Sequence, residues 1–78
     1  LFTVGGAEIQ FRDPDNYPLP ASTDFQVLEK IVAAEGEVAL GVWRARADRL
    51  GRHVVLNPPR GEYLDLKNGD RLVILCRT

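Results

Sequence analysis

Apolar and polar residues follow regular periods in several stretches of this chain. In residues 7–12, Ile9 and Phe11 alternate with polar residues, which is the period of a strand with one buried face. Gly5 and Gly6 precede this stretch and predict a turn or a bulge. The following DPDNYPLP has three prolines and a turn rich in Asp and Asn, so we expect the strand to end there.

Residues 25–35 have the period of an amphipathic helix. Ser22, Thr23 or Asp24 can cap its start, and Gly36 can end it because glycine adopts positive φ values readily. We expect the helix to cover one face of a sheet with a single apolar stripe. This stripe consists of Phe25, Leu28, Ile31 and Val32.

Two further apolar stretches, residues 37–43 and 53–56, are predicted to pair as a hairpin across the long polar connection 44–52. A small residue in the first of these strands permits close approach of a neighbouring segment. The alternation predicts Val38, Leu40 and Val42 on one face of that strand and Gly41 and Trp43 on the other.

The last predicted strand, residues 71–77, is apolar on both faces. Residues 57–59 (Asn-Pro-Pro) end the strand before it, and residues 67–70 (Lys-Asn-Gly-Asp) predict a tight turn. We expect this interruption to reposition the chain, so that the last strand enters the sheet from the other side. A strand apolar on both faces is either central or covered by a second chain. On the second interpretation, Leu72, Ile74 and Cys76 form a dimer interface.

These elements predict one small α+β domain over residues 1–78, with a mostly antiparallel sheet of four to five strands and one main helix on one face. A chain of this length buries only about 60% of the surface that its unfolded form exposes, so we expect modest stability. The chain begins without methionine and stops directly after its most apolar strand. We therefore expect it to be a fragment of a longer protein.

Composition and charge exclude several classes of protein. Hydrophobic residues make up 45% and charged residues 27%, which is typical of a folded domain. The net charge of −1 gives no overall field to attract nucleic acid, and no apolar run reaches the roughly 18 residues of a membrane span. Cys76 is the only cysteine, so internal disulfides and cysteine-rich zinc sites are excluded. We expect it to be a buried residue at a strand end, with a reactive thiol as the alternative.

Four arginines lie within nine residues of the polar connection. Arginine binds phosphate through two parallel hydrogen bonds, so this cluster is a candidate anion or nucleotide site. The alternative is an ordinary solvated loop. Arg60 would join the cluster if its loop converges on the same place. The candidate residues are Arg44, Arg46, Arg49 and Arg52.

Other candidate sites are incomplete. Asp13, Asp15 and Asn16 resemble the start of a calcium loop, but its distal glutamate is missing and turn chemistry explains the same residues. His53 and Ser22 are the only histidine and serine, and we find no partners that would make a catalytic triad or a metal site. We therefore expect no catalysis, and the sequence identifies no cofactor.

The ordered set of motifs resembles the C-terminal regulatory domain of the TrkA/RCK proteins of potassium channels and transporters. The resemblance covers nearly the whole chain and includes a Leu-x-x-Gly-Asp-x-Leu-Val-Ile motif. Three shorter pieces, at residues 6–9, 39–42 and 55–59, are more narrowly similar to the Castor/Pollux-type ion channels. The motif residues are Leu66, Gly69, Asp70, Leu72, Val73 and Ile74.

This resemblance implies a noncatalytic domain on the cytosolic side of a cation channel or transporter, pairing with itself. It also implies a small-molecule or ion ligand that biases gating, without saying which one. The loop from Arg44 to Arg52 matches no site of that family. Two other classes of function remain open: a protein-interaction module without a small ligand, and a noncatalytic subdomain of an enzyme.

Overall fold

The last strand of the chain lies at the centre of the sheet. The computed structural model describes residues 2–20 and 23–77, which form a five-stranded antiparallel sheet in the order β1-β2-β5-β3-β4, one α-helix and a short 3₁₀ turn. This confirms the predicted α+β class. The elements are β1 (Phe2–Val4), β2 (Ala7–Arg12), the 3₁₀ turn (Pro14–Asn16), α1 (Phe25–Ala33), β3 (Val38–Trp43), β4 (Val54–Leu56) and β5 (Arg71–Arg77).

The structure contains a hairpin that the sequence indicated only as a turn or bulge at Gly5 and Gly6, and after it the predicted hairpin. The first joins β1 to β2 through Gly5 and Gly6, which have φ values of 53° and 83° and so occupy the left-handed region that favours glycine. The second pairs β3 with β4 across the long connection. The chain then passes along residues 57–70 and returns as β5, which pairs with β2 on one side and β3 on the other. Of the two interpretations of a strand apolar on both faces, the structure supports the central position.

The helix begins and ends close to its predicted limits. The carboxylate of Asp24 caps it, accepting a hydrogen bond from the Val27 amide at 2.8 Å. Of the other two candidate caps, Thr23 instead donates its hydroxyl to the Pro20 carbonyl, and Ser22 lies outside the described residues. The helix buries Phe25, Leu28 and Val32 against the sheet.

The central strand meets the helix through Leu72, Ile74 and Cys76. These side chains are 0%, 0% and 6% exposed and belong to the same hydrophobic core as the helical stripe. The structure therefore corrects their assignment to a dimer interface. Because α1 of the same chain already covers them, a second chain cannot reach them while the domain is folded.

A bulge in β3 also corrects one prediction about its faces. Strict alternation puts Val38 and Val42 together, but the register with β5 shifts between Ala39 and Gly41, so the strand carries one extra residue. Ala39 and Val42 are buried in the core, whereas Val38 is 53% exposed. An inserted residue exchanges the two faces on one side of the bulge, and alternation alone does not predict it.

The proline-rich connection after β2 contributes to the core through Tyr17. Its ring is buried, and its hydroxyl donates a hydrogen bond to the Glu37 carboxylate at 2.8 Å. The same carboxylate forms an ion pair with Arg12, also at 2.8 Å. Burial, together with the hydrogen bond to Glu37, raises the pKa of Tyr17 above its ordinary value. This contact holds residues 13–20 against the beginning of β3, at the edge of the helix-covered layer.

Candidate functional site

The face of the sheet opposite α1 is apolar and has no covering element among the described residues. Paired residues of neighbouring strands share a face, so the register assigns side chains of β2, β3, β4 and β5 to this side. We call it the helix-free face. Its apolar residues are Ile9, Phe11, Val38, Trp43, Val54, Leu56, Val73 and Leu75.

Several of these side chains are exposed to a degree that is unusual for apolar sheet residues. Phe11 is 56% and Leu56 is 62% exposed, and Val38 and Val54 are also exposed. Val73, beneath them on the central strand, is only 3% exposed. A contiguous exposed apolar patch on a small domain is typical of an interaction surface.

An aromatic row crosses this face. The ring of Phe11 stacks on that of Trp43 with centroids 6.4 Å apart, and Trp43 stacks on His53 at 5.2 Å with an angle of 12° between the ring planes. His53 is fixed by a 2.7 Å contact between its Nδ1 and the Arg44 carbonyl, so Nδ1 carries the proton and donates. The stacking places the three rings in one continuous row.

The charged residues that the β5 register assigns to this face are both arginines. Arg71 pairs with Trp43 at one end of β5, and Arg77 pairs with Ala7 at the other. The face therefore combines an apolar centre with positive ends. These charges bear on the choice of partner, because a partner surface must be electrostatically complementary to this face.

The four arginines of the predicted anion site do not share one function in the structure. Arg44 donates Nη1 to Asp70 at 2.8 Å and to the Asp65 carbonyl at 2.7 Å, and Arg52 pairs with Asp48 at 2.9 Å. The carboxylates of the chain itself therefore neutralise two of the four. Arg46 and Arg49 are exposed, and within residues 2–20 and 23–77 neither forms an ion pair. Arg60 instead pairs with Glu29 on the helix, at 2.9 Å.

Asp70 organises the join between this loop and the last turn. One carboxylate oxygen accepts from the Ala45 amide at 3.0 Å, and the other accepts from Lys67 N at 3.0 Å and from Arg44. Burial opposes ionisation of Asp70, but the two amide hydrogen bonds and the Arg44 guanidinium outweigh it and lower its pKa. The sequence predicted the tight turn at residues 67–70 but not the contacts of Asp70 with Arg44 and Ala45.

The remaining single candidates have structural partners. Asp13 accepts a hydrogen bond from the Asp15 amide at 2.9 Å and caps the 3₁₀ turn, as the turn interpretation predicted. Cys76 is buried, with its sulfur 3.6 Å from the Glu8 carbonyl. In the part of the chain that the structure describes, no group of three His, Cys, Asp or Glu side chains is placed to hold a metal ion.

Comparisons with known proteins identify no relative. No family model, no curated protein and no solved structure matches this chain. Among the described residues, no helix has the length and apolar character that crossing a membrane requires.

Sequence reasoning missed the helix-free face, although a signal for it was present. The last strand is apolar at every position from 72 to 76, and residues 2–20 and 23–77 contain a single α-helix. One helix covers one face, so the alternate residues Val73 and Leu75 need cover from elsewhere. Part of this cover comes from Phe11 and Trp43, and the remainder of the face is open.

Proposed function

We propose that this chain is a noncatalytic regulatory domain that pairs with a second copy of itself through the helix-free face. The observation that carries the proposal is the exposed apolar surface around Phe11, Val38 and Leu56, on a sheet whose other side packs against α1 in the hydrophobic core. Two sheets that pack face to face bury such surfaces between them. The resemblance of the motif order to TrkA/RCK domains supports a parent protein that is a cation channel or transporter, on its cytosolic side.

The size of the face suits weak, adjustable pairing. Five strands spaced about 4.8 Å apart, each about three to seven residues long, cover roughly 400 Å². A stable interface usually buries about 800 Å² per partner, so self-association through this face alone should be weak. Joining two copies in one assembly raises their effective concentration, which brings the paired and unpaired arrangements into balance. A ligand that binds the paired arrangement more tightly then shifts this equilibrium towards pairing.

Sedimentation equilibrium over a wide protein concentration range tests the pairing. We expect a monomer–dimer equilibrium that Leu56→Ser weakens, because it removes apolar area from the face. Leu50→Ser is the matched control, since Leu50 is 74% exposed in the connection before β4 and outside the face. A monomer at every concentration, or equal effects of both substitutions, would contradict self-pairing.

The channel context has a separate test. The reading frame that encodes this domain is expected to encode membrane-spanning segments as well. A purely soluble parent protein would overturn the channel assignment and leave the pairing result unaffected.

A second function, a protein-interaction module, is favoured by the charges of the face. Arg71 and Arg77 are both positive, so a partner with acidic groups at matching positions would gain attraction where a second copy meets repulsion. Ionic strength separates the two: screening should strengthen self-pairing and weaken binding of an acidic partner.

A further inference from the structure

A polar cleft lies at the end of the sheet where β2 stops and β5 starts, next to the Arg71 end of the helix-free face. Its volume is about 340 Å³, and it lies between residues 13–20 and residues 63–71, with Thr23 also in its lining. The buried side chains of Tyr17 and Leu64 line its inner part. The volume falls at the low end of small-molecule sites, which favours a compact ligand.

The two chain segments contribute opposite charges to this cleft. Residues 13–20 supply Asp13 and Asp15, whereas residues 63–71 supply Lys67 and Arg71, together with Asp70, whose carboxylate is already paired with Arg44. No ion pair joins the two sets within the described ranges. Lys67 instead forms an ion pair with Asp65, with Nζ and Oδ2 2.7 Å apart. Opposite charges that line one cleft without pairing leave both available to a ligand.

Arg71 has the most unused hydrogen-bonding capacity on the positive side. Its Nη1 donates to the Asp70 carbonyl at 3.0 Å, and no other hydrogen bond from its guanidinium is formed to residues 2–20 or 23–77. A guanidinium has five N–H donors in a planar fork that matches a carboxylate. The main chain of Asp70 therefore orients Arg71 and leaves most of its donors for a ligand.

The negative side has a comparable arrangement. Asp13 uses Oδ1 to accept from the Asp15 amide, which fixes the 3₁₀ turn and keeps both acids at the cleft. The Asp15 carboxylate accepts no hydrogen bond from the described part of the chain and is exposed. An ammonium group supplies three donors, which two neighbouring carboxylates can accept.

We propose that this cleft binds a compact zwitterion whose ammonium and carboxylate groups are separated by a short carbon chain. The carboxylate pairs with Arg71, and the ammonium with Asp13 and Asp15. The short carbon chain between the two groups lets one ligand reach both sets of charges, which among the described residues do not pair with each other. The inference deepens the proposed regulatory function, because it supplies the class of ligand. Binding of the zwitterion in the cleft does not depend on that function; only the effect of this binding on pairing rests on it.

Amide chemical shifts in ¹⁵N-labelled protein test this proposal, at a concentration where the chain is monomeric. The probes are glycine, 4-aminobutyrate and 6-aminohexanoate, which differ in the spacing of their charges, with butylamine and butyrate as single-charge controls. We expect saturable shifts in residues 13–20 and 63–71 for one chain length. Each single-charge analogue should bind about tenfold more weakly or worse, because it lacks one charge-assisted contact.

Two pairs of variants assign the contacts. Arg71→Gln and Asp15→Asn should each weaken binding of the best probe about tenfold or more. Arg77→Gln, at the other end of β5, and Glu35→Gln, after the helix, are the matched controls and should leave the affinity unchanged. Asp15 is exposed, so its variant keeps the test valid if Arg71→Gln disturbs the fold.

Three results would overturn the proposal. These are no saturable shift with any zwitterion, equal affinity for butyrate or butylamine alone, and binding that both cleft variants leave intact. Failure of pairing would look different, because the protein would then remain monomeric while the cleft still bound its probe. Conversely, a dimer without zwitterion binding would overturn the cleft assignment alone.

Discussion

Arg44 and Asp70 form an ion pair, with Nη1 and Oδ2 2.8 Å apart, across a sequence separation of 26 residues. The carboxylate side chain is 5% exposed and the guanidinium side chain 29%. The pair joins the connection after β3 to the turn before β5, and two backbone amides complete the carboxylate's hydrogen bonds. A buried carboxylate that accepts an amide hydrogen bond on each oxygen and a charged donor on Oδ2 is a structural centre, and its removal should be costly.

We predict that Asp70→Asn lowers the free energy of unfolding by about 2–3 kcal/mol, because hydrogen bonds to a buried charged group each contribute about 1.5–3 kcal/mol. Arg44→Gln should cost less, since Arg44 is partly exposed. In a double-mutant cycle by chemical denaturation, we expect the two to couple by about 1 kcal/mol or more. The exposed pair Asp65–Lys67 is the control and should couple by less than about 0.5 kcal/mol.

Additive effects of the two substitutions would contradict this prediction. They would mean that the amide bonds from Ala45 and Lys67 carry the whole contribution of Asp70. The 2.8 Å contact with Arg44 would then add nothing measurable to stability.

The pH dependence of stability should report the same carboxylate. The folded-state pKa of Asp70 is depressed: burial opposes ionisation, but the amide and guanidinium hydrogen bonds outweigh it. A depressed folded pKa contributes stability that is present above the unfolded pKa, about 3.9, and is lost as the pH falls through the folded value. We therefore expect the wild-type protein to lose stability in this acid range more steeply than Asp70→Asn does.

Urea denaturation at a series of pH values from neutral to strongly acidic measures this difference. The stability gap between wild type and Asp70→Asn should be constant well above pH 4 and should narrow below it. A gap that stays unchanged down to the lowest accessible pH would show that Asp70 titrates normally in the folded state.

Gly41 is the position in β3 where a larger residue should be least tolerated. A methyl group built on its Cα would lie 2.1 Å from the Val55 carbonyl oxygen and 2.8 Å from the Leu56 Cα, both of them backbone atoms of β4. Because backbone cannot rotate away as a side chain can, Gly41→Ala must move the β3–β4 hairpin. We expect a loss of about 1–3 kcal/mol in the free energy of unfolding, as for an overpacked site.

Gly36→Asn is the comparison for this substitution. Gly36 has a φ of 76° but nothing within 4 Å of an added Cβ, and Asn tolerates the left-handed region well. It should cost less than about 1 kcal/mol. If Gly41→Ala proved as mild as Gly36→Asn, the close approach of β4 at the bulge would be excluded.

The parts of this fold that follow from local periodicity could be predicted, and those that depend on distant contacts could not. The helix cap, the Gly5-Gly6 turn and the central place of β5 each follow from a few adjacent residues. The bulge between Ala39 and Gly41 depends on pairing with β5, so it left no local signal. The arginine cluster is a candidate site, with a solvated loop as the alternative, because its members are close in sequence; the partner of Arg44, an acid 26 residues away, leaves no such local signal.

The last prediction concerns which side of the sheet is the core, because one of the two interpretations of the sequence placed Leu72, Ile74 and Cys76 at an interface. Ile74 is 0% exposed beneath the helix, so Ile74→Ala should cost about 2–5 kcal/mol by leaving a cavity. Leu56→Ala, on the helix-free face, should cost less than about 1 kcal/mol in a dilute sample, because Leu56 remains 62% exposed after folding. At high concentration only Leu56→Ala should also reduce self-association. A large stability loss from Leu56→Ala in the monomer would show that the helix-free face is covered by the chain itself, and pairing through it would then be excluded.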